Sequence, residues 1–149
     1  MPLKVEFNTN QFRTEIRQFT EDVEDAIIEA IKDAGERFVT DARNMVKSQG
    51  GFGDRTTNLR SSIGYSILKD GKIIFGDFKG KKAEGVAAAK RAVEEVPKVK
   101  GFQLIGVAGM EYASIVEGKG MNVISIQAEA LLVDLKDYMD IIEKRFNKK

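Results

Sequence analysis

With 149 residues, 42% of them apolar and 32% charged, and a net charge of +1, the chain has the size and balance of one ordinary globular domain. That balance argues against disorder and against a strongly electrostatic nucleic-acid binder, and a chain of this length buries roughly 70% of its unfolded surface without disulfides or metals. Zero cysteine excludes thiol chemistry and thiolate metal sites, and zero histidine removes the commonest general base, so catalysis would have to run on carboxylates, Lys, Ser or Tyr.

Residues 3–7, LKVEF, alternate apolar and polar, which predicts a short strand or an extended arm. The N-terminus has no apolar signal-peptide core, and no run approaches the roughly 18 apolar residues of a membrane span, so a soluble protein made in the cytoplasm is expected. From Phe12 the period changes. Phe12, Ile16, Phe19, Val23, Ile27, Ile31, Ala34, Phe38 and Met45 recur at spacings of mostly three and four, one apolar stripe opposite a charged face. The predicted helix is on the order of 50 Å long. Asn8 or Asn10 is placed to cap its start and Gly50–Gly51 to end it. So long a helix implies either a kink near Gly35 or a stripe that partly faces a neighbouring subunit.

GGFGDRTTNLRSS (50–62) reads as a polar connection leading to two strand-like runs within 63–78, joined at Asp70–Gly71, a strong signal for a tight hairpin. Residues 81–97 predict a short helix stopped by Pro97, with so thin a stripe (Val86, Val93, Val96) that a surface position is expected. FQLIGVAG (102–109) returns to strand character, and Tyr112 to Glu117 predicts a helical turn or two released by Gly118 and Gly120. In that turn Tyr112, Ile115 and Val116 are expected to pack inward, and Glu117 to form an exposed corner. A last helix carries Ile124, Ala128, Leu131, Leu132, Leu135, Tyr138, Met139, Ile142 and Phe146 on one face, with Ser125 or Asn122 as cap. The predicted fold is α+β: a small antiparallel β-sheet packed against a long N-terminal helix and a C-terminal helix, with a short inserted helix near 81–97, in a single domain spanning 1–149.

Charge is unevenly spread. Residues 11–47 hold nine acidic and six basic side chains, whereas 52–104 hold six acidic and eleven basic, so an anionic partner should dock on the middle of the chain. Lys79, Lys81, Lys82, Lys90 and Arg91, with Arg55 and Arg60, are the candidate DNA-proximal residues; their bland alternative is a solvated face that discourages strand pairing. GGFGD lacks the Gly-Lys-Ser/Thr ending of a phosphate loop and follows a helix, so a flexible connection is the better reading. Glu111, Glu117, Asp54 and Asp77 are the carboxylates near glycines and aromatics, but sequence places no two of them face to face as an acid/base pair. No catalytic residue, metal ligand or cofactor site is assigned.

Two motifs carry a resemblance. Thr56/Thr57-Asn58-Leu59-Arg60-Ser61-Ser62-Ile63 follows the long helix, and Gly109-Met110-Glu111-Tyr112-Ala113-Ser114-Ile115-Val116-Glu117-Gly118-Lys119-Gly120 follows the strands. The order of elements is similar to the tail-completion, or head–tail joining (neck), proteins of long-tailed phages and prophages, a minor tail component whose pattern often reads T-G-x-L-R-x-S-I and Y-A-x-x-V-E-F-G-T. Here Thr57 stands at the glycine, Glu117-Gly118-Lys119-Gly120 replaces Glu-Phe-Gly-Thr, and Asn122-Val123-Ile124 replaces the usual Pro-Phe entry to the last helix. The resemblance implies a structural role in the virion without catalysis. Such proteins form rings, commonly of six subunits, that join the tail tube to the head connector and let DNA pass non-specifically through the bore. Asp54, Arg55, Arg60, Tyr112, Glu117 and Lys119 are then the candidate docking or oligomer contacts, and the 50–62 and 117–123 loops are expected to order only on docking. The alternative is a small nucleic-acid-binding module that uses the basic 79–100 segment.

Overall fold

The computed structural model describes residues 9–147, with side chains described from Arg17 onward; the extended segment expected at 3–7 and an Asn8 cap lie outside the described residues. Helix α1 (Thr9–Asn44) is followed by a short α2 (Asn58–Ser61), strands β1 (Ile63–Lys69) and β2 (Lys72–Asp77), and helix α3 (Ala83–Glu95). Strand β3 (Phe102–Ala108), a short α4 (Ala113–Gly118) and α5 (Ser125–Asn147) complete the order. The sheet is antiparallel in the order β2-β1-β3, with β1 central.

The hairpin forms where Asp-Gly predicts it. Asp70 and Gly71 take φ of 51° and 80°, the pair of positive values that a two-residue turn matched to strand twist requires. Against β3 the register runs without a break from Ile63 opposite Ala108 to Lys69 opposite Phe102.

Strand β1 is buried on both faces. Ile63, Tyr65 and Ile67 point toward α1, where they join Phe38, Val39 and Ala42, while Leu68 packs with Ile105, Val107, Ala89 and Val93 on the opposite side. Helix α3 therefore covers the second face of the sheet. This corrects the surface position expected from its thin valine stripe. Gly85, Ala88, Ala89 and Val93 are the residues it buries, and small side chains let its backbone lie close to the strands.

Helix α1 has 36 residues, about 54 Å, against about 23 Å for a seven-residue strand. Its residues 24–43 lie along β1: Glu24 pairs with Lys69 at one end of the strand (2.7 Å), and the Arg43 Nη2 donates to the Ile63 carbonyl at the other (2.6 Å). The overhanging turns are met by α5, which runs antiparallel to α1; Phe19 and Phe146 meet edge to face at 5.7 Å. Within the chain, the surplus stripe thus has an intramolecular partner. The helix passes unbroken through Gly35 and ends at Asn44, before Gly50–Gly51, so Met45 lies beyond it. Val46 turns extended, Lys47–Gln49 form a 3-10 turn, and Gly50 at φ 83° completes the reversal.

Gly35 marks a contact and not a kink. A Cβ built there would lie 2.5 Å from the Tyr65 ring, so the missing side chain lets the aromatic sit directly on the helix. The Tyr65 hydroxyl then donates to Glu36 at 2.9 Å, and burial, followed by that bond, raises its pKa well above the ordinary tyrosine range. Gly35→Ala is expected to lower unfolding free energy by about 1–3 kcal/mol through overpacking. Urea denaturation measures it, and an unchanged midpoint would count against this contact as a close-packed joint.

Candidate functional site

The two motif-bearing loops meet. Asn122 donates its amide to the Gly50 carbonyl at 2.9 Å, in a parallel bridge pairing Gly51 with Asn122. Phe52 and Val123, one from each loop, are almost fully buried. The 50–62 and 117–123 segments are therefore packed joints within the chain, which corrects the expectation that they order only on docking. Folding Phe52 and Val123 into the core supplies the apolar burial that ordering needs.

Several candidate contacts are spent on the backbone. Arg60 donates through Nη1 to the Arg43 carbonyl and through Nη2 to the Phe52 carbonyl (2.9 Å), with its guanidinium 4.5 Å over the Phe52 ring. It ties the end of α1 to the following loop. Asp54 accepts the Arg60 amide at 2.8 Å and so serves an orphan donor of α2. Glu117 accepts the amides of Ser125 (3.0 Å) and Ile124 (3.2 Å) at the start of α5, and Asn122 accepts that of Ile126 (2.9 Å). Asn122 thus caps α5 as expected, and Glu117 is a second cap, not an exposed corner. Burial pushes the Glu117 carboxyl upward, but bonds from the Ser125 hydroxyl and from the Ile124, Ser125 and Val123 amides outweigh it, and the net pKa is lowered.

The packing of α4 also differs from the helical-spacing expectation. Ile115 is 59% exposed and Tyr112 is 36% exposed, whereas Ala113 is buried and Val116 packs on the core. Tyr112, itself helical in backbone, and Ile115 lie three residues apart on one face of α4, and it is the opposite face, with Ala113 and Val116, that meets the core.

What remains open is a groove. Two adjoining depressions of about 380 Å³ each share Glu84, Met110 and Tyr112; Asp54, Arg55 and Asn58 border one, Ala88, Arg91 and Glu111 the other. Asn58 donates to Glu84, another bordering residue, at 2.9 Å. Three docking candidates, Asp54, Arg55 and Tyr112, thus fall on one surface, while Arg60 and Glu117 do not. Lys119 stays exposed just beyond α4, outside the groove.

The five basic candidates are divided. Lys79 and Lys81 border a separate cleft with Arg43 and Arg60, Arg91 borders the Tyr112 groove, and Lys82 and Lys90 line neither. Of the carboxylates, Asp77 is buried and accepts the Lys79 amide at 3.0 Å, so with Asp54 and Glu117 it is engaged by backbone donors. Glu111 borders the groove. Sequence reasoning missed Arg43 and Met110. Arg43 reads as an ordinary cation at a helix C-terminus, yet burial lowers its pKa against the opposing influence of Asp77 and Glu36, and its Nε is sealed without a partner among the described residues. Among the described residues there is no cluster of ligating side chains fit for a metal, and no helix is long and apolar enough to cross a membrane.

Thr57, just before α2, takes φ 63°, a left-handed conformation that a β-branched residue rarely adopts, at the position where the resembling pattern has glycine. Thr57→Gly is expected to raise stability by about 1 kcal/mol, the relief of strain exceeding the added chain entropy, as read from the urea midpoint. Glu117→Gln gives a test by pH. A lowered folded pKa means that Glu117 stabilises fully above its unfolded value near 4.3 and loses that contribution as pH falls through the folded value. The variant should therefore lose about 0.5–2 kcal/mol at neutral pH and show a shallower acid limb; identical acid limbs would show that the cap carries no such linkage.

A family model described as "Bacteriophage HK97-gp10, putative tail-component" matches residues 10–118, from the first turn of α1 to the end of α4. No curated protein and no solved structure matches the chain.

Proposed function

Because the chain belongs to the HK97-gp10-like family of phage tail components, structural proteins and not enzymes, we propose that it acts at the head–tail interface. It completes the tail, or joins the tail tube to the head connector, as one subunit of a ring in the virion, commonly of six. The observation that carries this reading is the groove around Tyr112. An exposed aromatic, Met110 and two arginines, Arg55 and Arg91, on a rigid frame are the residue types that dominate protein–protein contacts.

A ring needs two different patches that meet heterologously. The outward face of α5 supplies a second one, since Ile126, Val133 and Ile141 are each more than half exposed and recur at seven and eight residues along the helix. The groove of one subunit against the α5 face of the next would leave the ends of the ring for tail-tube and connector proteins. DNA passing through the bore is a non-specific neighbour in this reading. A nucleic-acid-binding module built on residues 79–100 has less support, because Lys79 and Lys81 border one surface, Arg91 another that it shares with Glu84 and Glu111, and Lys82 and Lys90 neither.

Mixing the protein with the tail-tube or connector protein of the same phage should yield rings by electron microscopy. Tyr112→Ala with Arg55→Glu should keep the monomer folded, by circular dichroism, and weaken assembly about 30-fold or more, the scale of a lost hot spot of about 2 kcal/mol. A wild-type chain that stays monomeric and binds neither protein would overturn the reading.

A further inference from the structure

A cleft of about 280 Å³ opens where the end of α1 meets α2 and the segment after β2. Arg43, Arg60, Lys79 and Lys81 line it, and no carboxylate does. Four cations around one concavity repel each other, and a bound anion lowers the part of that cost that Asp77 and Glu36, acting on Arg43 from outside the lining, do not offset. Asp77, Glu36 and Asp54 stand outside the lining, each accepting a neutral donor. Asp77 accepts the Lys79 amide, Glu36 accepts the Tyr65 hydroxyl, and Asp54 accepts the Arg60 amide.

We propose that this cleft binds a phosphate-class oxyanion, with the Lys79 and Lys81 ammonium groups as its principal contacts. The donor set selects the chemistry. A planar carboxylate is best held by an arginine fork, but Arg60 has both terminal nitrogens on the carbonyls of Arg43 and Phe52, and Arg43 has Nη2 on the Ile63 carbonyl and its Nε buried out of reach. What remains are two lysine point charges, whose side chains have no hydrogen-bond or ion-pair partner among the described residues, over a floor of positive potential. Point charges place no planar demand on the ligand and suit a tetrahedral, delocalised anion. The Ser61 hydroxyl adds a neutral donor, since it accepts the Lys82 amide at 3.0 Å and keeps its own proton to give.

The lysines are also held in place. At Gly80, between them, a Cβ would lie 2.3 Å from the Ser61 carbonyl, so the chain can run against α2 only without a side chain there. The Lys79 amide is fixed on Asp77 and the Lys82 amide on Ser61. Pre-ordering this backbone lowers the entropy lost on binding. The oxyanion comes from free phosphate or from the phosphodiester backbone of DNA, which present the same group to the cleft. This proposal concerns the isolated chain and stands apart from the assembly reading.

Amide chemical shifts followed during titration with sodium phosphate, against sodium chloride at equal ionic strength, test it. Saturable shifts should appear in residues 57–61 and 79–82 with phosphate alone. Lys79→Ala/Lys81→Ala removes two exposed side chains without partners, so it should keep its thermal melt and lose at least tenfold in affinity, whereas Lys90→Ala/Lys119→Ala should change nothing. A short DNA duplex separates the sources. Two phosphate contacts predict about a tenfold loss of affinity between about 50 and 200 mM salt, abolished in the Lys79/Lys81 variant, if the phosphodiester is the ligand. Phosphate shifts without duplex binding support the free anion. Shifts that are diffuse or matched by chloride overturn the proposal, as does binding of poly-glutamate with no response to phosphate.

Discussion

Everything in this fold depends on one strand being buried on both sides. Strand β1 contributes six consecutive buried residues, which no single helix layer can cover. Helix α1 takes the face of Ile63, Tyr65 and Ile67, and α3 takes the face of Leu68 with its β3 neighbours Ile105 and Val107. Because β1 is also the central strand, both neighbours in the sheet are pinned to it. The helix at 83–95 is thus required by the sheet, since without it the second face would expose a contiguous apolar surface of β1 and β3.

Polar residues complete the frame. Arg60, Asp54, Glu117 and Asn122 each satisfy backbone groups at a helix end or a chain reversal, where unpaired amides and carbonyls would otherwise be costly. These are the residues that look most like site residues when read in isolation, as charged groups next to glycines. Two of the depressions among the described residues differ in character. The Tyr112 groove mixes signs of charge around aromatic and thioether groups, and the Lys79–Lys81 cleft is of one sign. We propose a protein partner for the first and an anion for the second, and α2 with its flanks contributes to both.

Much of the framework was legible in the chain itself. The 3.6 period of α1, the Asp70–Gly71 turn and the two motifs were sufficient for the elements, the fold class and a family resemblance that the match over 10–118 supports. The end of α1 was not legible, because Met45 continues the apolar spacing and only the reversal through Val46 to Gly50 shows that it lies outside the helix. Nor was the burial of α3. Alanine and glycine carry little weight in a hydrophobic stripe, yet they bury fully where a helix backbone approaches a sheet.

By itself, then, the sequence determined what depends on near neighbours: helix and strand periods, turn chemistry, and the absence of His and Cys chemistry. Only the tertiary structure decided which charged groups remain available. Arg60 and Lys79 are both cations in the sequence, but Arg60 reaches two carbonyls from distant turns while the Lys79 side chain meets none among the described residues. The same holds for Tyr112, Ile115 and Val116, all apolar letters of one short helix, of which only Val116 faces the core. A helix turns about 100° per residue, so a single position separates a core residue from a contact surface.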